Sequence, residues 1–249
     1  MENVYKYAGK NVRIVSLYPD VHEYCRDYLS DECPDFEIVI STKDIEYELQ
    51  KAKLVDEREG NPNRKHKNEE LEKLAVYRKI AEKMIDYDTV LFHGSVICVD
   101  NYRYVFTAIS GTGKSTHARL WRELLGEKAI MVNDDKPLIK ICDDKVIAYG
   151  TPYDGKHRLS NNISAEVKAV SIINRSADNR IETITAEQAY PMFLQQCYKP
   201  RDPEKMAKTM QLLDRFVNGV KVYNMYCNMD IEAAKLAYRV MGESEYEVK

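Results

Sequence analysis

The sequence predicts an α/β fold in which a mixed sheet is flanked by helices, a glycine-rich loop follows a β-hairpin, and a small α/β unit stands at the N-terminus. Three observations lead there. Strand-length apolar runs alternate with segments of helical spacing along the 249 residues. A loop bearing glycine and lysine, residues 110–116, lies between a strand and an amphipathic helix. The strand before that loop is itself preceded by another strand, with only Asp100 and Asn101 between them, which is the spacing of a tight hairpin. The division expected is 1–88 for the N-terminal unit and 89–249 for the loop-bearing domain with its C-terminal helices.

In the N-terminal unit, residues 12–17 and 36–40 read as strands and residues 20–29 and 44–52 as helices. Residues 68–85 form a longer helical pattern, with Leu71, Leu74, Ala75, Ile80, Ala81 and Met84 on its apolar positions. The polar, turn-rich stretch 56–67 reads as a surface loop. The hairpin follows as 95–99 and 102–106, then a helix over 117–125 that stops at Gly126. A short apolar strand, 129–132, leads to Asn133, Asp134 and Asp135, and 167–174 reads as a buried strand. Helices are expected at 186–196, 203–217 and 231–240, with a strand at 220–225; Pro191 falls either in a first turn or at a kink.

Residues 108–115 match GxxxxGK[ST] at every position but the first, where Ala108 replaces glycine. In such a loop the backbone amides of Ser110, Gly111, Thr112, Gly113, Lys114, Ser115 and Thr116 point at the phosphates of a nucleotide. Lys114 reaches the β and γ oxygens and the Ser115 hydroxyl ligates Mg²⁺. A plain helix cap needs one side-chain oxygen and would not need this lysine and these glycines. Asp134 and Asp135, at the end of a strand, supply a second carboxylate element, and neighbouring side chains on an extended segment point apart. One is then free for the metal and the other for a hydroxyl proton: Asp135 is assigned to metal and Asp134 to general base, the reverse order staying open. Lys156 and Arg158, after the turn at Gly155, are candidates for binding phosphate or acceptor, and Lys168, Arg175 and Arg180 are weaker ones. Tyr190, Phe193, Tyr198, Phe216 and Tyr223 are core candidates, one of which would be available to stack on adenine.

With 37 basic and 40 acidic residues and a net charge of -3, the chain offers no electrostatic case for nucleic acid. No apolar run is long enough for a membrane span, and the first residues lack the basic start and apolar core of a signal peptide, so a cytoplasmic protein is expected. The six cysteines include no CxxC pair and read as reduced packing residues. An oligomer is compatible with this composition.

Residues 92–135 resemble the HPr kinase and phosphoenolpyruvate carboxykinase superfamily. The matching pieces are His93, Gly94 and Ser95 before the hairpin, the hairpin, the loop SGTGKST, and the paired aspartates. Residues 150–155 look like the Gly-Thr-Pro-Trp-Ser-Gly segment of short HPr-kinase-like proteins, so the resemblance runs from Leu91 to about Arg175. It implies an ATP-binding core of that family's fold that passes a phosphoryl group to a serine hydroxyl, of a protein, a peptide or free serine, or in the carboxykinase branch to an enolate. It also implies a His93 beside the aspartates that orients the acceptor or the base. The chain lacks the second HPr kinase signature and the arginine-bearing segments that recognise oxaloacetate. The expected activity is therefore ATP-dependent, Mg²⁺-supported phosphoryl transfer to a hydroxyl, with Mn²⁺ as an alternative ion. The other two readings are a carboxykinase-type lyase on oxaloacetate and a non-catalytic nucleotide-binding regulatory or maturation module.

Overall fold

Strand β1 (Glu2–Tyr7) turns back on β2 (Lys10–Val15) through Ala8 and Gly9, both at positive φ (47° and 78°). That is the backbone a two-residue hairpin needs. Strand β3 (Phe36–Val39) adds to β2 in parallel, giving the order β1-β2-β3. The structure is a computed structural model and describes residues 1–155 and 157–242. Within them the chain forms two compact units, Met1–Lys83 and the described residues from Met84 onward.

The first unit differs from the sequence reading in three places. Strand β1 was not expected, because its alternation is carried by Tyr5 and Tyr7, which are buried, rather than by aliphatic residues. The helix expected over 20–29 ends early: α1 covers Asp20–Tyr24 and a single tight turn, Arg26–Tyr28, follows. Helix α2 (Thr42–Arg58) runs into the stretch whose polarity suggested a loop. Its last turn is held because Asp56, although charged, is buried and bonded to His66 at 2.6 Å. Helix α3 (Asn68–Met84) is tied to α2 by Arg78, which reaches Glu48 at 2.5 Å, and by Lys79, which reaches Asp44 at 2.9 Å.

The second unit is built on a nine-stranded mixed sheet with the path β4-β8-β9-β10-β6-β5-β7, and β12 joins β10 to β11. Its strands are β4 (Thr89–Leu91), β5 (Ser95–Val99), β6 (Tyr102–Thr107), β7 (Ile130–Asn133), β8 (Leu138–Ile141) and β9 (Val146–Tyr149). They are completed by β10 (Ser164–Arg175), β11 (Arg180–Ile184) and β12 (Lys221–Cys227). The helices are α4 (Lys114–Leu125), α5 (Ala186–Gln196), α6 (Pro203–Asn218) and α7 (Ile231–Gly242). The hairpin falls where its sequence put it, with Val99 opposite Tyr102 and both Asp100 and Asn101 at positive φ. Strands β4, β8, β9 and β11 are not foreseen by the sequence pattern. Pro191 lies within α5, whose start is fixed instead by the Thr185 and Gln188 capping box.

Strand β10 organises this sheet. It runs parallel to both β6 and β12, and its first residues pair antiparallel with β9. Successive side chains of β6 enter opposite cores. Val105 joins Phe92, Phe193, Leu213 and Phe216, whereas Tyr104 and Phe106 join Ala118, Trp121, Ala234 and Ala237. The C-terminal ends of three parallel strands are thereby brought level beside the loop that follows β6. Among the described residues no helix is long and apolar enough to cross a membrane.

Candidate active site

The glycine-rich loop leaves β6 at the buried Ala108 and enters α4 at once, the helix beginning at Lys114 rather than at His117. Gly113, at φ 126°, takes a backbone conformation unsuited to any residue with a side chain and caps the helix. Ser110 and Gly111 are exposed, Thr112, Gly113 and Thr116 partly so, and Ser115 stands exposed on the first helical turn. The Lys114 ammonium is largely buried and donates to the Ala108 carbonyl at 3.2 Å. Burial pushes its pKa down, and the nearby Asp135 and Asp134 oppose that shift. From the end of β10, the Arg175 guanidinium donates to the Thr112 carbonyl at 3.1 Å and to that of Gly111. With carbonyls of the loop engaged from that side, its amides at the helix start remain available to an anion.

Strand β7 delivers the acidic pair. Asn133 is fully buried, and its Nδ2 donates to the Thr151 carbonyl and Oγ1, both at 3.0 Å, and to the Tyr153 carbonyl at 3.3 Å. Its Oδ1 accepts from the backbone amides of Asp135 (2.9 Å) and Lys136 (2.6 Å), so one side chain shapes the turn that carries both aspartates. The two carboxylates then face different partners. Asp134 accepts from the Ser95 hydroxyl at 2.8 Å. Burial pushes its pKa up, against the lowering influence of the Ser95 and Ser115 hydroxyls. Gly155 is needed here for close approach, since a Cβ on it would lie 2.9 Å from Asp134 Oδ2.

Asp135 instead meets His93 Nε2 at 3.1 Å and Lys136 Nζ at 2.7 Å. Burial alone would raise its pKa, but His93 and Lys136 outweigh it and hold the carboxyl at about 2. His93 is fixed from its other side by Gln196, whose Oε1 lies 2.9 Å from Nδ1. Backbone bonds from His93 to Gln196 (2.8 Å) and from Tyr198 to Leu91 (2.9 Å) join the end of α5 to this segment. Ser95 with Asp134 and His93 with Asp135 thus make two contacts at adjacent positions, and Lys114 and Ser115 lie close enough to act on the aspartates electrostatically.

Other sequence candidates stand differently. Lys156 lies outside the described residues, and Arg158 is exposed on the loop after Gly155, at φ 49°. Lys168 is engaged by the Gly242 carbonyl and the Tyr102 ring, and Arg180 stacks 3.7 Å above Tyr226. Phe193 and Phe216 pack on Phe92 in one core, and Tyr223 is buried in the other. Sequence reasoning gave no role to Ser95, Asn133 or Gln196. Ser95 and Asn133 adjoin residues that were singled out, whereas Gln196 is 103 positions from His93 and carries no local signal.

Among the described residues, no group of three or more His, Cys, Asp or Glu is arranged to hold a metal ion. The cluster offers instead the Asp134 carboxylate and the Ser115 hydroxyl, near enough to lower that carboxylate's pKa. These are hard oxygen donors of the kind that hold Mg²⁺ or Mn²⁺ when phosphate oxygens and water supply the remaining positions.

No family model matches the chain, and no curated protein matches it. Among solved structures it has a distant likeness to the Hpr(Ser) kinase/phosphatase from Coxiella burnetii, at 12% identity and a TM-score of 0.35, covering 62% of this chain and 99% of that one.

Proposed function

We propose that this protein transfers the γ-phosphoryl group of ATP to a hydroxyl acceptor, a serine of a protein or peptide or free serine. The observation that carries the proposal is the convergence of the loop and the acidic turn: Lys114 and Ser115 of the glycine-rich loop lie close enough to Asp134 and Asp135 to act on them electrostatically, and Asp135 pairs with His93 at 3.1 Å. Lys114 and the amides of residues 110–116 bind the β and γ phosphates. Ser115 and Asp134 would hold Mg²⁺, which would supply charge neutralisation to the transferring phosphoryl group. Asp135, oriented by His93 and Lys136 and held ionised by them, accepts a hydrogen bond from the attacking hydroxyl and orients it, and the hydroxyl proton passes to water as the phosphoester forms. The hydroxyl oxygen bonds to the γ phosphorus as the bond to the β-phosphate oxygen breaks, leaving ADP and a phosphoester.

This allocation exchanges the two aspartates relative to the order first assigned from sequence. The surroundings of the two carboxylates support the exchange, since the Ser115 hydroxyl at the metal-binding position of the loop acts on Asp134 and the His93 imidazole meets Asp135 at 3.1 Å. Arg158 and Lys156 are retained as candidates for the acceptor side. The test is transfer from γ-labelled ATP, with Mg²⁺, to free serine, serine peptides and a carrier protein. Label is expected in a phosphoserine product and is expected to vanish in Lys114→Ala. ATP binding without transfer across those acceptors would instead support a nucleotide-binding regulatory module.

A further inference from the structure

Strand β10 outruns its neighbour β6. Its last residue paired with β6 is Ile172, opposite Thr107, whereas its pairing with β12 continues to Arg175, opposite Cys227. The Ser176 amide then donates to the Cys227 carbonyl at 3.0 Å. Arg175 therefore stands on a two-stranded extension of the sheet, beside the glycine-rich loop that follows β6. We propose that Arg175 is a positioning residue for phosphoryl transfer, its forked guanidinium setting the peptide planes of the loop before a nucleotide arrives, a role that rests on the function proposed above.

Arg175 Nε donates to the Thr112 carbonyl at 3.1 Å, and Nη2 donates to the Gly111 carbonyl. In a trans peptide the carbonyl and the following N–H point in opposite directions. Drawing these two carbonyls toward β10 thus turns the Thr112 and Gly113 amide hydrogens the other way. The Thr112 amide closes the loop's own turn, donating to the Ile109 carbonyl at 3.2 Å. The Gly113 amide, at the start of α4, is left aimed at the side where the helix N-terminus receives an anion. The loop needs such a hold because Gly111 and Gly113, at φ 78° and 126°, have open space where a Cβ would stand, so no side-chain packing fixes their backbone. Arg175 is exposed and makes no ion pair among the described residues, so its two charge-assisted bonds go to this one loop. A loop ordered in advance spares the ligand the entropic cost of ordering it, which places the contribution of Arg175 in phosphate affinity rather than in stability. Only a planar fork spans two consecutive carbonyls in this way; a lysine ammonium is a point charge.

Calorimetric titration of the full chain with Mg²⁺ and either ATP or inorganic tripolyphosphate, in the parent, Arg175→Ala and Arg175→Lys, tests this role. Arg175→Ala is expected to weaken both ligands by the same factor, about tenfold, with the ligand-free thermal midpoint unchanged because the side chain is exposed. Arg175→Lys keeps the charge without the fork and is expected to stay about fivefold or more below the parent. Full affinity in Arg175→Ala, full recovery in Arg175→Lys, or an affinity loss that tracks a lowered midpoint would each overturn the role while leaving the phosphate site standing. So would a loss confined to ATP, which would move Arg175 to the cavity of about 420 Å³ that it also lines. Failure of the parent to bind either ligand would overturn the role together with the proposed function.

Discussion

Asn133 is the residue whose removal tests most sharply how the acidic turn is held. Its amide has no exposure, donates toward Thr151 and Tyr153, and accepts the backbone amides of Asp135 and Lys136. Truncation in Asn133→Ala removes three donated bonds, to the Thr151 carbonyl and Oγ1 and to the Tyr153 carbonyl, at roughly 1 kcal/mol net each. Allowing for water reaching the partly buried amides, a loss of about 3 kcal/mol is expected, read as a lower urea midpoint at unchanged slope. Because both aspartates ride on that turn, phosphoryl transfer is expected to fall about 100-fold, the effect of misplacing reacting groups by about 1 Å. Asn133→Asp keeps the Oδ1 acceptor but turns a carboxylate oxygen toward two carbonyls, so it is expected to destabilise more than alanine. An alanine variant within 0.5 kcal/mol of the parent and fully active would refute the claim that this side chain sets the turn.

Three further outcomes follow from single contacts. Gly155→Ala puts a methyl 2.9 Å from Asp134 Oδ2, so Mg²⁺-dependent ATP affinity is expected to drop at least tenfold while the urea midpoint hardly moves. Gln196→Leu removes the partner of His93 Nδ1 and is expected to lower kcat about tenfold with the KM for ATP unchanged, whereas Gln196→Glu, which keeps an acceptor there, retains most of the rate. For Asp44, burial raises the pKa, but the hydrogen bonds from Lys79 and Ser41 outweigh it and hold the carboxyl at about 2 against an ordinary 3.8. A depressed native pKa means stabilisation that is complete above about pH 5 and is lost as pH falls through about 2. Asp44→Asn is therefore expected to cost up to about 2 kcal/mol at pH 7 and to converge with the parent near pH 2, as followed by denaturation across that range.

The parts of this site that the sequence carried plainly are those encoded by neighbours in the chain. A two-residue turn of Asp100 and Asn101 requires left-handed backbone, and both residues adopt it. The loop and the Asp134 and Asp135 pair are likewise local patterns. Strands β8 and β9 are each four residues long and flank Asp143, Asp144 and Lys145, too short and too charged at their borders for periodicity to register. Strand β1 hid its inward face behind tyrosines. Helix α2 outran its apolar pattern because Glu48 and Asp56 are buried as ion-pair partners. What distinguishes the surroundings of the two aspartates is tertiary: Ser95 and Gly155 close on Asp134, and Gln196 steadies the histidine that meets Asp135.

The central claim is that residues 108–116 and Asp134 together bind a nucleotide for phosphoryl transfer. Its most direct measurement is single-turnover transfer of label from γ-labelled ATP, with and without Mg²⁺, to a panel of serine-bearing acceptors, using the parent chain and Lys114→Ala. The account predicts a Mg²⁺-dependent phosphoserine product from the parent and at least a thousandfold less from the variant. Equal transfer by Lys114→Ala, or no ATP binding by the folded parent, would contradict it.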